Sequence, residues 1–193
     1  MVEQDTSNAE ARLRAATVGS PVPVNGEIIL VPYDHEWPTM YEQLARRIRD
    51  VLGPKALRVE HVGSTSVSGL SAKPIIDIVL VVLDSNDEDS YLQPLESTGF
   101  VLRIREPDWF AHRMLKAPAA DGNVHVFSHG CDEVDRVLMF RDWLRNNAED
   151  RELYERTKRE LAARTWKYVQ DYADAKSDVI KAILARAMCE GRP

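Results

Sequence analysis

An α+β fold, in which a mixed β-sheet core carries flanking helices and ends in a C-terminal helical segment, is what three features of the sequence predict. Ile75 to Leu83 is an almost unbroken β-branched and apolar run, the pattern of a strand buried on both faces. His112 to Ala117 and Asn123 to Phe127 flank an Asp121-Gly122 turn pair, which reads as an antiparallel hairpin and makes the sheet mixed. From Asp132 onward glycine is absent until Gly191, and apolar residues recur at helical spacing.

With 193 residues and 44% hydrophobic content, the chain is long enough for one substantial core and too short to require two. It divides into a flexible tail over 1–25, an α/β core over 26–130, and a helical segment over 131–190 packed on that core as a single structural unit. The tail mixes polar residues, a short Ala/Arg stretch and Pro21-Val22-Pro23, with room for one helical turn. Glu27 to Val31 reads as a strand. Trp37, Tyr41, Leu44, Ile48 and Val51 then form an amphipathic stripe that ends at Gly53-Pro54. Leu57 to Val62 is a short strand, followed by a small-residue loop and the apolar run. Asp84 to Asp89 is an acidic, solvated turn before a short helix closed by Gly99. Phe100 to Ile104 precedes the hairpin as a further strand. The tail of the chain breaks into helices over about 132–146, 149–164 and 167–188.

Composition excludes several functions. A net charge of -6 argues against a sequence-independent nucleic-acid binder, which needs a basic surface, and leaves room for a small anionic substrate in a local basic pocket. Cys131 and Cys189 have no paired spacing, so neither a disulfide framework nor a zinc site is indicated. The sequence carries no membrane-length apolar run and no signal-peptide pattern, and a cytoplasmic protein is expected.

The candidate site is the loop between the first two core strands. In Gly63-Ser64-Thr65-Ser66-Val67-Ser68-Gly69, glycines allow close backbone approach, while hydroxyls and N–H groups suit an anion such as phosphate. Asp77 interrupts the apolar strand, and a carboxylate there requires a partner, a hydrogen bond or a metal. Lys73 stands at the mouth of the loop, and Arg113 and Lys116 on the hairpin are open between site and surface. Glu60 and His61 lie on opposite strand faces, so at most one shares a face with the site.

Laid on a seven-residue period, each helical stripe includes one cation. The stripes run Val134, Val137, Arg141, Leu144; Tyr154, Lys158, Leu161; and Val169, Tyr172, Lys176, Val179, Ile183. Either these cations reach water from the stripe edge, or they turn inward toward an anionic ligand. A triad of Ser64, His61 and Asp77 is not supported, because no nucleophile-elbow motif surrounds a serine.

The Gly-Ser turn followed by an Asp that opens an apolar strand resembles the signature of the nucleotidyltransferase superfamily. Val31-Pro32-Tyr33-Asp34 with Trp37-Pro38, Glu60 through Val67, Ala72 through Ile78, Val124-His125-Val126 and Phe140 through Arg145 together resemble the GrpB (UPF0157-like) family, from about Glu27 to Ile183. The resemblance implies a nucleotidyltransferase-like core that binds a nucleoside triphosphate with magnesium and transfers a nucleotidyl group to a small acceptor. Asp77 and His125 are the implied catalytic and metal-holding residues, though a strand histidine is equally explained by a backbone carbonyl partner. Gly63, Ser64, Thr65, Ser66 and Lys73 of the loop, with Arg141, Lys158, Tyr172 and Lys176 of the helices, are the candidate phosphate ligands, and the resemblance independently includes Arg141, Tyr172 and Lys176. The superfamily places a second carboxylate two residues after the first, where this chain has Val79. Two alternatives therefore accompany this reading: a catalytically degenerate module that binds nucleotides or phosphorylated metabolites, and a ligase-type enzyme that reuses the pocket.

Overall fold

The computed structural model describes residues 2–119 and 121–190. Met1 of the expected tail, and Gly191 at the end of the glycine-free stretch, lie outside the described residues. Five strands form one sheet in the order β1-β2-β5-β4-β3: β1 (Arg58–Val62), β2 (Ile76–Val82), β3 (Val101–Glu106), β4 (His112–Lys116) and β5 (Gly122–Ser128). β2 pairs antiparallel with β1 and parallel with β5, so the sheet is mixed.

The unbroken apolar run of β2 is explained by its two coverings. Ile76, Ile78, Leu80 and Val82 pack on one face against Trp37, Leu44, Ala45 and Ile48 of helix α2 (Trp37–Leu52). Val79 and Val81 face the other way, against Val134 and Leu138 of helix α4 (Asp132–Asn146). A strand covered on both faces has no position where a polar residue meets water, and alternation vanishes. Helix α3 (Leu92–Glu96) lies between β2 and β3 and is followed by Gly99 at φ +90°. Gly122 begins β5 where an added Cβ would come within 2.9 Å of Leu44.

The C-terminal segment holds α4, α5 (Ala148–Ala162), α6 (Val169–Asp174) and α7 (Ser177–Glu190). The expected third helix is thus two. Tyr172 of α6 packs with Ile28, Leu161 and Ala162, whereas Ile183 of α7 joins Val67, Leu70 and Leu144. The break after Asp174 lets each half reach its own cluster.

Two further expectations are corrected. Glu27–Val31 is not a sheet strand: Ile28 N–H bonds to Ala162, and Val31 pairs with Ala72 in an isolated bridge. Its backbone groups are satisfied by loops, so it threads between α5 and the residues before β2. Residues assigned to a flexible tail include helix α1 (Val2–Ala16), after which Val18 N–H bonds to the Arg103 carbonyl on the β3 edge. Glu10 of α1 also pairs with Lys167 at 2.5 Å, a long-range contact that the local sequence does not reveal. Among the described residues, no helix is long and apolar enough to cross a membrane.

Leu80 is fully buried in the central strand pair. Leu80→Ala is expected to lower stability by about 2–5 kcal/mol, read as a lower urea midpoint with an unchanged slope.

Candidate functional site

β1 ends at Val62, and Gly63 turns the chain with φ +68° and ψ -173° into a 3-10 turn over Ser64–Ser66. Two constraints select glycine here. The left-handed φ disfavours any side chain, and an added Cβ would lie 2.5 Å from Asp77 Oδ2. The turn therefore packs directly against the strand carboxylate.

A cavity of about 70 Å³ lies at this junction, with Ser64, Thr65, Lys73, Asp77, Asn123, Lys158, Tyr172 and Lys176 in its wall. Seven of the residues anticipated from the sequence as phosphate or metal ligands thus come together, from the turn, the loop before β2, β2, α5, α6 and the link between α6 and α7. Lys158 is 1% exposed; its ammonium donates to Ser64 Oγ at 3.0 Å and to the Ser71 carbonyl. Burial, and then the nearby Lys176 charge, lowers its pKa to about 7. Burial and the Lys73 charge likewise bring Lys176 down to about 8, although Asp77 opposes the shift. Lys73 is also lowered by burial. Three ammonium groups thus share a cavity with one carboxylate, an arrangement that an anion would relieve.

Burial pushes the Asp77 carboxyl up, but His125, Asn123 and Lys73 outweigh it and hold it below the ordinary carboxylate range. Asn123 donates to Asp77 Oδ1 at 2.8 Å, and His125 Nε2 stands 3.8 Å from the same oxygen. Two polar atoms in the cavity wall, the Tyr172 hydroxyl and Asn123 Oδ1, are buried without a hydrogen-bond partner. Unpaired buried polar atoms are uncommon in folded proteins and point to a missing partner.

The remaining anticipated residues lie elsewhere. Ser66 Oγ donates back to the Gly63 carbonyl at 2.7 Å, and its own carbonyl accepts from Arg145, so it braces the turn. Arg141 does turn inward, but finds its anions within the protein: Glu60 at 2.8 Å and Asp142 at 2.7 Å. Glu60 shares the Asp77 face, because the register pairs Glu60 with Val79 and Val62 with Asp77. His61 is on the opposite face, stacked on Tyr41 at 4.7 Å, where burial lowers its pKa to about 4. Arg113, open between site and surface in the sequence, is a buried partner of Glu88 at 2.5 Å. Glu88 belongs to the acidic turn and also pairs with Arg105, so that turn is not merely solvated.

Sequence reasoning missed Asn123 and a chain of groups behind His125. Glu106 Oε2 meets His112 Nδ1 at 2.7 Å, and His112 Nε2 meets His125 Nδ1 at 3.0 Å. The two imidazoles lie nearly in one plane, edge to edge, with 5.2 Å between ring centres, and Phe127 packs against His112 at 4.9 Å. Burial keeps His112 below its ordinary pKa despite Glu106. A His112 that donates Nδ1–H to Glu106 keeps Nε2 as an acceptor for His125 Nδ1–H, and His125 Nε2 stands beside Asp77. The only hint in the sequence is that His112 and His125 flank one hairpin; their meeting depends on the register that sets Met114 against His125.

Among the described residues, no three His, Cys, Asp or Glu side chains gather to hold a metal. Val79, 1% exposed, points to the α4 side, where a second carboxylate would stand. Magnesium favours oxygen donors and commonly rests on one or two carboxylates plus substrate phosphates. Asp77 fits a magnesium that arrives on a phosphorylated substrate, whereas the His125 nitrogen is a poor donor for it.

The family model described as GrpB protein matches residues 27–186 of the chain. The UPF0157 protein BH1888 of Halalkalibacterium halodurans is 56% identical over 188 residues, covering 95% of this chain and 96% of that protein. The UPF0157 protein SCO7215 of Streptomyces coelicolor is 50% identical over 161 residues, covering 83% and 84%. The crystal structure of the conserved protein GrpB from Enterococcus faecalis matches with a TM-score of 0.70 at 29% identity, covering 84% of this chain and 98% of that one.

The depressed lysine pKa values carry a pH dependence. Between about 7 and the ordinary lysine value of 10.5, the unfolded chain holds a proton that folded Lys158 has lost, so stability rises with pH across that window. Lys158→Met is expected to flatten that rise in urea titrations at pH 6.5, 8 and 9.5.

Proposed function

The chain belongs to the GrpB family, and from that premise we propose that it is a nucleotidyltransferase-like enzyme whose pocket takes the phosphates of a magnesium-bound nucleoside triphosphate and passes a nucleotidyl group to a small acceptor. The observation that carries this reading is the gathering of Lys73, Lys158 and Lys176, with the unpartnered Tyr172 hydroxyl, around Asp77. In phosphoryl-type transfers the protein chiefly positions groups and neutralises charge, and this set is suited to both.

Each residue has a defined task in the proposal. The three ammonium groups and the Ser64 and Tyr172 hydroxyls hold phosphate oxygens. Asp77 would hold a magnesium that arrives with the substrate, and the ion would supply charge neutralisation on the phosphates. The acceptor oxygen bonds to the α-phosphorus as the bond to pyrophosphate breaks, and pyrophosphate leaves. His125 Nε2 accepts the acceptor proton; its Nδ1–H is already engaged by His112, and the resulting imidazolium faces the Asp77 carboxylate. Glu106 and His112 are positioning residues in this scheme.

A second reading, a binding module without transfer, is favoured by Val79. Its side chain packs into the apolar cluster beneath α4, so the two-carboxylate arrangement is missing its second member.

Thermal shift with a panel of nucleoside triphosphates, with and without magnesium, tests the proposal. A nucleotide at one hundred times its dissociation constant should stabilise the fold by about 2.7 kcal/mol. Asp77→Asn should remove the magnesium dependence and the release of pyrophosphate; unchanged turnover in that variant sinks the transferase reading. Nucleotide binding with no magnesium dependence and no product selects the binding module.

A further inference from the structure

A second cavity lies across the Gly63–Ser66 turn from the lysine pocket, and its character is the opposite of the first. It measures about 170 Å³ and its walls are largely apolar: Val67, Val137, Phe140, Leu144, Tyr154 and Ile180, with Gly63 and Ser64 on the side toward the turn. Val137, Phe140 and Leu144 recur at three- and four-residue steps on one face of α4, and Ile180 closes the space from α7. Arg136 and Arg141 at its edge bring little free charge, since Arg136 is held by Glu133 at 2.6 Å and Arg141 by Glu60 and Asp142.

Ser64 belongs to the walls of both cavities. Helix α5 flanks the two in the same way, with Lys158 lining the polar one and Tyr154, one turn earlier, lining the apolar one; the Lys158 ammonium lies 5.0 Å from the Tyr154 ring centre. Unfilled apolar space is destabilising in a close-packed interior. A cavity of about 150 Å³ with apolar walls stays dry and admits benzene, so this chamber is matched to a ring or a branched chain of about six carbons.

We propose that the apolar chamber receives the body of the acceptor, and that the acceptor is therefore a small molecule with one apolar group of about ring size and a single hydroxyl that passes Ser64 toward the Asp77–His125 pair. This rests on the reading of the lysine pocket as the phosphate site, because it is the shared Ser64 wall that brings an acceptor hydroxyl next to a bound phosphate. The chamber offers no free charge and few hydrogen-bonding groups, so it discriminates against sugars and other polyhydroxylated acceptors of the same size, whose hydroxyls would be left unpaired.

Two probes separate the inference from the reading beneath it. Benzyl alcohol, titrated into protein with labelled methyl groups and followed by NMR, should shift the methyls of Val137, Leu144 and Ile180 saturably, while glucose should not. Tripolyphosphate with magnesium, followed by calorimetry, reports on the lysine pocket. Val137→Trp, which fills the chamber, should weaken benzyl alcohol at least tenfold and leave tripolyphosphate binding unchanged; Ile180→Phe serves the same purpose should Val137→Trp fail to fold. Benzyl alcohol that does not bind, or that binds as well to both filled variants, overturns the acceptor chamber even where tripolyphosphate binds. Benzyl alcohol bound in the chamber without any tripolyphosphate binding sinks the phosphate reading, and with it the role of acceptor.

Discussion

The ammonium of Lys158 is where the two halves of the chain depend on each other. Removing it from water is costly unless its three donors find acceptors, and the Ser64 hydroxyl and the Ser71 carbonyl, both in the loop between β1 and β2, take two of them. Arg159, the next residue, reaches the Ser71 hydroxyl at 2.8 Å, so α5 grips the loop at several points. The interaction does not rank among the stronger contributions to stability, since an apolar replacement would avoid the desolvation penalty. What it secures is the placement of the helical segment over the turn, which brings Lys176 and Tyr172 to the same cavity.

The sheet divides two duties between its faces. Toward α2 it is mostly apolar, with His61 stacked on Tyr41, and holds the fold together. On the other side, the apolar cluster of Val79, Val81 and Phe127 beneath α4 lies beside the polar set of Asp77, Asn123 and His125. The parallel register that sets Asp77 beside Asn123 and Val79 beside His125 places these groups on one face of adjacent strands. The polar set is thus supported by strands rather than by a mobile loop, and its geometry follows from backbone pairing.

Much of this arrangement could be read from the residues in order, because it depends on local pattern. The stripe of α2, the apolar run of β2, the hairpin of β4 and β5 and the lone Asp77 each declare themselves within a few neighbours, and the inward lysines follow from helical spacing. What escaped depends on distant partners. Arg141 reads like Lys158 on its stripe, yet it pairs with Glu60, 81 residues away. The Glu106–His112–His125 chain needs the register of three strands, and no spacing in the sequence encodes a hydrogen bond between imidazoles of adjacent strands. Glu27–Val31 has the composition of a strand, but both edges of the sheet lie elsewhere and its hydrogen bonds are taken by loops. The split between α6 and α7 likewise reflects two separate apolar clusters competing for one stripe.

Gly63 and Asp77 touch so closely that neither is an independent character of the protein. Any side chain at position 63 would meet the carboxylate, and any larger group at position 77 would meet the turn. The backbone path of the loop and the negative charge of the strand are therefore coupled: a side chain at position 63 would displace the carboxylate that the cavity is built around.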